Sequence, residues 1–140
     1  MKKQLISLAM SLALLTGAAA YAQSSQLMKV DVPFDFRIGN ASLPAGEYSV
    51  SSDDNAGGVL SFQNPTAKKG TFVLSQACES GKAATHTELV FHRYGDSYFL
   101  SDVWVSGRTI GQHVHTSRRE SEIARNNNIK DEVVLMAALK

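Results

Sequence analysis

Two stretches rich in β-favouring residues, Glu88 to Tyr94 and Ser97 to Val105, are separated only by Gly95-Asp96. A two-residue loop opening on glycine suits the primed turns whose twist matches that of paired strands, so the segment predicts an antiparallel hairpin. The loop length also sets a register. Arg93 faces Tyr98, Phe91 faces Leu100 and Leu89 faces Asp102 on one side; His92 faces Phe99 and Val90 faces Ser101 on the other. Both faces carry aromatic and aliphatic side chains, which predicts a central hairpin covered on both sides for much of its length. Trp104 shares a face with Leu100 and Tyr98 and is the expected core anchor.

The same logic extends along the chain. Val30, Val32, Phe34, Phe36 and Ile38 alternate with Asp31, Pro33, Asp35 and Arg37, the period of a half-buried strand. Pro33 has no amide to donate, so the strand lies at an edge there or bends. Leu43-Pro44-Ala45-Gly46 reads as a turn and Tyr48 and Val50 as the strand after it. Residues 53–58 are a loop by composition, with further strands around Val59 to Gln63 and Thr71 to Ala77. Ser117-Arg118-Arg119-Glu120 fits a capping box and starts a short helix ending near Asn126. Glu132 to Ala138 combines β-branched residues with alanines and a methionine, and is read as a closing strand. Together these predict an all-β sandwich or small closed barrel of about seven or eight antiparallel strands, with one short helix over residues 117–126.

The N-terminus adds a compartment. Lys2 and Lys3 precede an apolar run from Leu5 to Leu15, and Ala20-Tyr21-Ala22 supplies the small-x-small pattern that signal peptidase reads. The apolar run is shorter than the roughly 20 residues that span a bilayer. The expected organisation is a signal peptide over residues 1–22, a flexible leader over 23–28 and a single β domain over 29–140. Cleavage before Gln23 leaves 118 of the 140 residues, a size that suits one modest core. The two lysines lost leave 12 basic against 13 acidic residues, with no electrostatic pull toward nucleic acid or an anionic membrane. No later segment is apolar enough to be a transmembrane helix. Cys78 is the sole cysteine, so no intramolecular disulfide can staple the fold. In phase with Phe72 and Leu74, it reads as a small half-buried side chain at a strand end rather than a reactive thiol.

Four segments carry a resemblance. Val32-Pro33-Phe34-Asp35-Phe36, Leu43-Pro44-Ala45-Gly46-Glu47-Tyr48, the run from Leu89 to Trp104, and Ser117-Arg118-Arg119-Glu120, in that order, resemble a family of small secreted β proteins found chiefly in Acidobacteria and their relatives. The likeness covers nearly the whole mature chain. It implies a common β fold and an exported life, and it brings no activity with it. His113 and His115 stand where that pattern implies less polar residues.

Motifs for chemistry fail on inspection. His113-Val114-His115 puts two imidazoles on one strand face, and His92 or His86 would have to complete a zinc or copper site; two exposed polar residues are the plainer account. Asp53, Asn55 and Gly57 suggest a calcium loop, with Gly58 as the glycine of its sixth position, but Asn64 stands where the bidentate glutamate belongs. Gly95-Asp96-Ser97-Tyr98-Phe99 lacks the second glycine of a nucleophile elbow, and Gly81-Lys82 lacks both the glycine before it and the hydroxyl after it of a phosphate loop. Asp31 and Asp35 beside Arg37 read as the wet side of a strand rather than an acid–base pair. Arg93 and Asp102, predicted on the face of Phe91, Leu100 and Trp104, must be paired or reach water, as a structural ion pair at a rim or as groups orienting a ligand. No catalytic residue and no cofactor is expected. The expected function is that of a non-enzymatic exported protein, secreted or periplasmic, acting as a binding or structural module on an envelope partner or small ligand. The alternative is a carrier of a small apolar ligand, in a cavity lined by Phe34, Phe36, Phe91, Leu100 and Trp104. A metal-binding protein or metal-dependent enzyme built on His113 and His115 is a further reading.

Overall fold

The computed structural model describes residues 26–53, 58–126 and 130–139. The expected signal peptide therefore lies outside the described residues, as do half of the leader and much of the residue 53–58 loop. The chain enters through β1 (Gln26–Val32), β2 (Phe36–Ile38), β3 (Ala41–Leu43), β4 (Gly46–Asp53), β5 (Val59–Asn64) and β6 (Lys69–Glu79). The predicted hairpin follows as β7 (Glu88–Tyr94) and β8 (Ser97–Trp104). Then come β9 (Ile110–Val114), helix α1 (Arg118–Asn126), β10 (Asp131–Met136) and β11 (Ala138–Leu139).

The strands join one mixed sheet in the order β10-β7-β8-β9-β6-β5-β4-β1-β11, with β2 and β3 attached beside β8. Its ladder does not close. β6 is the corner: Lys69 to Leu74 pair with β5, and Ser75 to Glu79 pair with β9. At the opposite side only Ala137 separates β10, which pairs β7, from β11, which pairs β1. Alternate residues of both halves thus meet in one core, from Met28, Val30, Tyr48, Val50, Leu60 and Phe62 on one side to Leu89, Phe91, Leu100 and Val103 on the other.

Eleven strands among the described residues exceed the expected seven or eight, and β2 meets β8 in parallel at Arg37 and Phe99. The surplus comes from short pieces. Pro33 interrupts the first alternation, so one expected strand becomes β1 and β2, and the chain that bends there brings β2 alongside β8. Asp35, in the break, accepts the amide of Ala45 at 2.8 Å and ties this bend to the next turn. That turn needs its glycine: Gly46 has φ +151°, and a Cβ there would lie 2.7 Å from Asn64 Nδ2. β1 begins at Gln26, inside the segment expected to be a leader, and Met28 is wholly buried.

The hairpin forms as predicted from its turn as far as Phe91 opposite Leu100, and then departs from the expected register. Between Phe91 and Val90 a β-bulge intervenes and puts Asp102 opposite Val90 and Val103 opposite Leu89, where Leu89 was expected to face Asp102 and Val90 to face Ser101. The extra residue, Ser101, reverses the phase of everything after it. Val103 and Val105 turn into the core, while Asp102 and Trp104 turn out. Straight pairing would send a carboxylate inward and two valines to water, so the bulge is the cheaper arrangement. The sequence pattern could not show it, because both phases of this strand contain apolar residues.

Ser117 caps α1 as expected, its Oγ accepting the Glu120 amide at 3.1 Å. The reciprocal half of the capping box is not made. The Glu120 side chain turns to the sheet, where its Oε1 meets His92 Nδ1 at 2.9 Å and accepts the Tyr94 hydroxyl at 3.2 Å. Burial, then the Glu120 carboxylate, push the Tyr94 phenol above its ordinary value. Tyr48, whose hydroxyl donates to the Pro44 carbonyl, is raised too, chiefly by burial. Both shifts penalise the phenolate in the folded state. Stability is expected to hold up to about pH 10 and to fall as pH rises toward the raised folded values. Urea unfolding between neutral and strongly alkaline pH should show this loss, and Tyr48→Phe and Tyr94→Phe should each make it shallower.

Candidate functional site

An apolar opening in the fold follows from that bulge. Because Val103 and Val105 point inward at the far end of β8 from the turn, they face Met28 of β1 and Ser52 of β4 across the interior. The space between them is a cavity of about 440 Å³. These four side chains are buried and form its floor, while Gly107 to Thr109 of the β8–β9 connection and Ile110 at the start of β9, all exposed, form its rim. Gln112 lines the wall, its Oε1 accepting the Ser75 hydroxyl at 2.8 Å. The rim is tied down by backbone bonds: Gly107 donates to Ala84, Ala84 donates to Arg108, and Ser80 donates to Thr109 at 2.7 Å. A pocket with an apolar floor, a few polar groups and a pinned rim is the usual form of a small-molecule site.

The cavity expected from the sequence lies elsewhere and is filled. Phe34 stacks on Tyr98 with ring centroids 3.8 Å apart, and Phe91 meets Phe34 edge-on at 5.2 Å and Phe36 at 5.4 Å. This aromatic plug, with Leu100, closes the turn end of the interior. Trp104 is not a core anchor. It lies on the outer face over β9, where a Cβ on Gly111 would sit 2.6 Å from its Cε3 atom. The indole is seated because residue 111 has no side chain.

Arg93 and Asp102 do not share a site. Arg93 is exposed, donates from Nε to the Gly95 carbonyl at 2.9 Å and lies over the Tyr98 ring. The bulge puts Asp102 on the other face, where Oδ2 accepts the Ser101 hydroxyl and Oδ1 meets His113 Nδ1 at 2.8 Å. Ser101, Asp102 and His113 are thus joined through the carboxylate. The hydroxyl is bonded to the aspartate rather than to the imidazole, so this trio does not make the serine–histidine contact that activates a nucleophile. His115 follows just beyond β9, its ring centroid 6.1 Å from that of His113. His92 is held by Glu120, away from both. Among the described residues no group of three or more His, Cys, Asp or Glu side chains is placed to hold a metal ion. Cys78 is partly buried, and burial followed by the Asp102 carboxylate pushes its thiol up, the reverse of activation.

Comparisons with protein families, with curated proteins and with solved structures found no match. The site must be read from its own geometry. Among the described residues no helix is long and apolar enough to cross a membrane. The residues that sequence reasoning missed are Met28, Val103, Val105, Ile110 and Gln112. Met28 sits in a stretch that reads as leader, and the inward phase of the two valines depends on one inserted residue.

Proposed function

We propose that the chain is an exported, non-enzymatic binding module of the envelope or the extracellular space, and that it carries a small, largely apolar ligand in the cavity between β1, β4, β8 and β9. The bent sheet then acts as a small open-ended barrel, plugged by aromatics at one end and open at the other. The observation that carries this reading is the cavity of about 440 Å³ over a floor of Met28, Val103 and Val105. That volume falls within the range of about 300–1,000 Å³ typical of small-molecule pockets. Export is supported by Lys2, Lys3, the apolar run and Ala20-Tyr21-Ala22. N-terminal sequencing of protein from its own host should begin at Gln23.

The ligand reading has a direct test. N-phenyl-1-naphthylamine, an uncharged apolar reporter, should bind the processed chain saturably with enhanced fluorescence. Val103→Phe, which adds volume where the floor is, should weaken that binding by about tenfold or more, the loss expected when an apolar pocket is filled. Binding that is unchanged in Val103→Phe would place the reporter elsewhere and remove the carrier reading. Native mass spectrometry of the host-derived protein should show a bound small molecule, and finding none would count against a carrier.

A further inference from the structure

The corner strand has an open edge. Ser75 donates its amide to the Gly58 carbonyl at 2.6 Å, on the β5 side. Amides along a strand alternate in direction, so those of Val73 and Thr71 also point to β5. The amides and carbonyls of Gly70, Phe72 and Leu74 therefore point the opposite way. β9 occupies that side only from Ser75 onward, and among the described residues no strand pairs there over Lys69 to Leu74. Phe72 and Leu74 are the most exposed large apolar side chains described, each 73% accessible. An apolar strand with an unpaired edge is a template for another strand, and proteins that leave one uncovered commonly use it.

A groove of about 720 Å³ runs along this edge. Thr71 to Leu74 form one wall, and the β2–β3 turn and the β9–α1 connection form the other. Such a groove admits one extended chain more readily than the flank of a second folded domain. Its charge is one-sided. Arg118 lines it beside the His115 ring, Lys68 and Lys69 are exposed where the chain enters β6, and no carboxylate is among the lining residues. Arg118 also pairs with Glu122 of its own helix at 3.5 Å, which leaves Lys68 and Lys69 as the exposed cations of this edge.

We propose that the open edge of β6 is a docking site for an extended segment of a partner protein, added as a further strand. The segment would carry apolar side chains at alternate positions, to lie beside Phe72 and Leu74, and carboxylates at its flanks, to meet the basic groups. This surface is separate from the cavity, and the two can be tested independently.

The probe is the blocked peptide Asp-Val-Thr-Val-Thr-Val-Asp, added to the isotope-labelled processed chain. Saturable NMR shifts are expected at Gly70, Phe72 and Leu74, with slower amide exchange at Phe72 and Leu74. N-methylation of the peptide's edge-facing amides should weaken binding by about tenfold, as should Phe72→Lys, whose charged side chain leaves the β5 ladder intact. A peptide with lysines in place of the aspartates should bind more weakly. Val103→Phe should leave peptide binding unchanged. The proposal falls if no shifts saturate at millimolar peptide, if they map elsewhere, or if Phe72→Lys and N-methylation have no effect. A concentration-dependent dimer that Phe72→Lys abolishes would assign the edge to a second copy of this chain and overturn the partner assignment.

Discussion

Phe91→Ala is expected to destabilise the domain by about 3–5 kcal/mol, the usual cost of truncating a fully buried aromatic. Phe91 is wholly buried and holds edge-on ring contacts with both Phe34 and Phe36. Removing it takes the middle member from the plug that joins the β1–β2 bend to the central hairpin. The space left cannot collapse easily, because Phe34 is already stacked on Tyr98 and Phe36 is set against Tyr48 at 5.2 Å. A single domain of this size has about 5–15 kcal/mol of total stability, so the variant is expected to fold weakly or not at all at growth temperature. The measurement is the urea midpoint of the chain from Gln23 onward, with Phe91→Leu as the control that keeps most of the volume. A loss under about 1 kcal/mol would mean that the plug is not the mechanical centre of the fold.

This plug was legible in the sequence up to a point. The alternation of Val30, Val32, Phe34, Phe36 and Ile38 gave the correct inward set, since a period of two leaves little choice of face. Pro33 signalled the bend, because an imino acid cannot serve a ladder. The turn at Gly95-Asp96 was readable for a similar local reason: Gly95 takes φ +60° and Asp96 does not need a positive φ, the pattern of a hairpin turn with glycine first. Local chemistry fixes turns and faces. It does not fix where one strand gains a residue on its neighbour.

That limit explains each error about the site. From Tyr98 to Val105 both phases contain residues fit for a core, so periodicity alone cannot choose between Asp102 with Trp104 and Val103 with Val105. The choice is tertiary. Trp104 needs a bare backbone to lie on and finds it at Gly111, a residue of the next strand. Asp102 needs a donor and finds His113, also on β9. Neither partner is visible within the hairpin itself. Met28 was missed for a different reason: Gln26 to Met28 pair with Val50 to Ser52, about two dozen residues away, and a polar leader gives no local sign of that ladder.

The helix offers the last test of how far polar contacts replace packing here. α1 is a short, charged element, and Glu120 is its one buried residue. An amphipathic helix normally docks through an apolar stripe; this one docks through a carboxylate that accepts from Tyr94 and pairs with His92. Glu120→Ala removes the acceptor and leaves two sheet groups without a partner, at a cost of about 3 kcal/mol. Because the helix has little else buried, the loss should appear first as local opening. Hydrogen exchange across Arg118 to Asn126 should speed up strongly, while the strands that hold Phe91 keep most of their protection. Glu120→Gln, which retains an acceptor of the same shape, should recover much of the difference. If Glu120→Ala instead unfolds helix and sheet together in one step, α1 is part of the cooperative core. If it leaves exchange in α1 unchanged, the Ser117 cap holds the helix without the carboxylate.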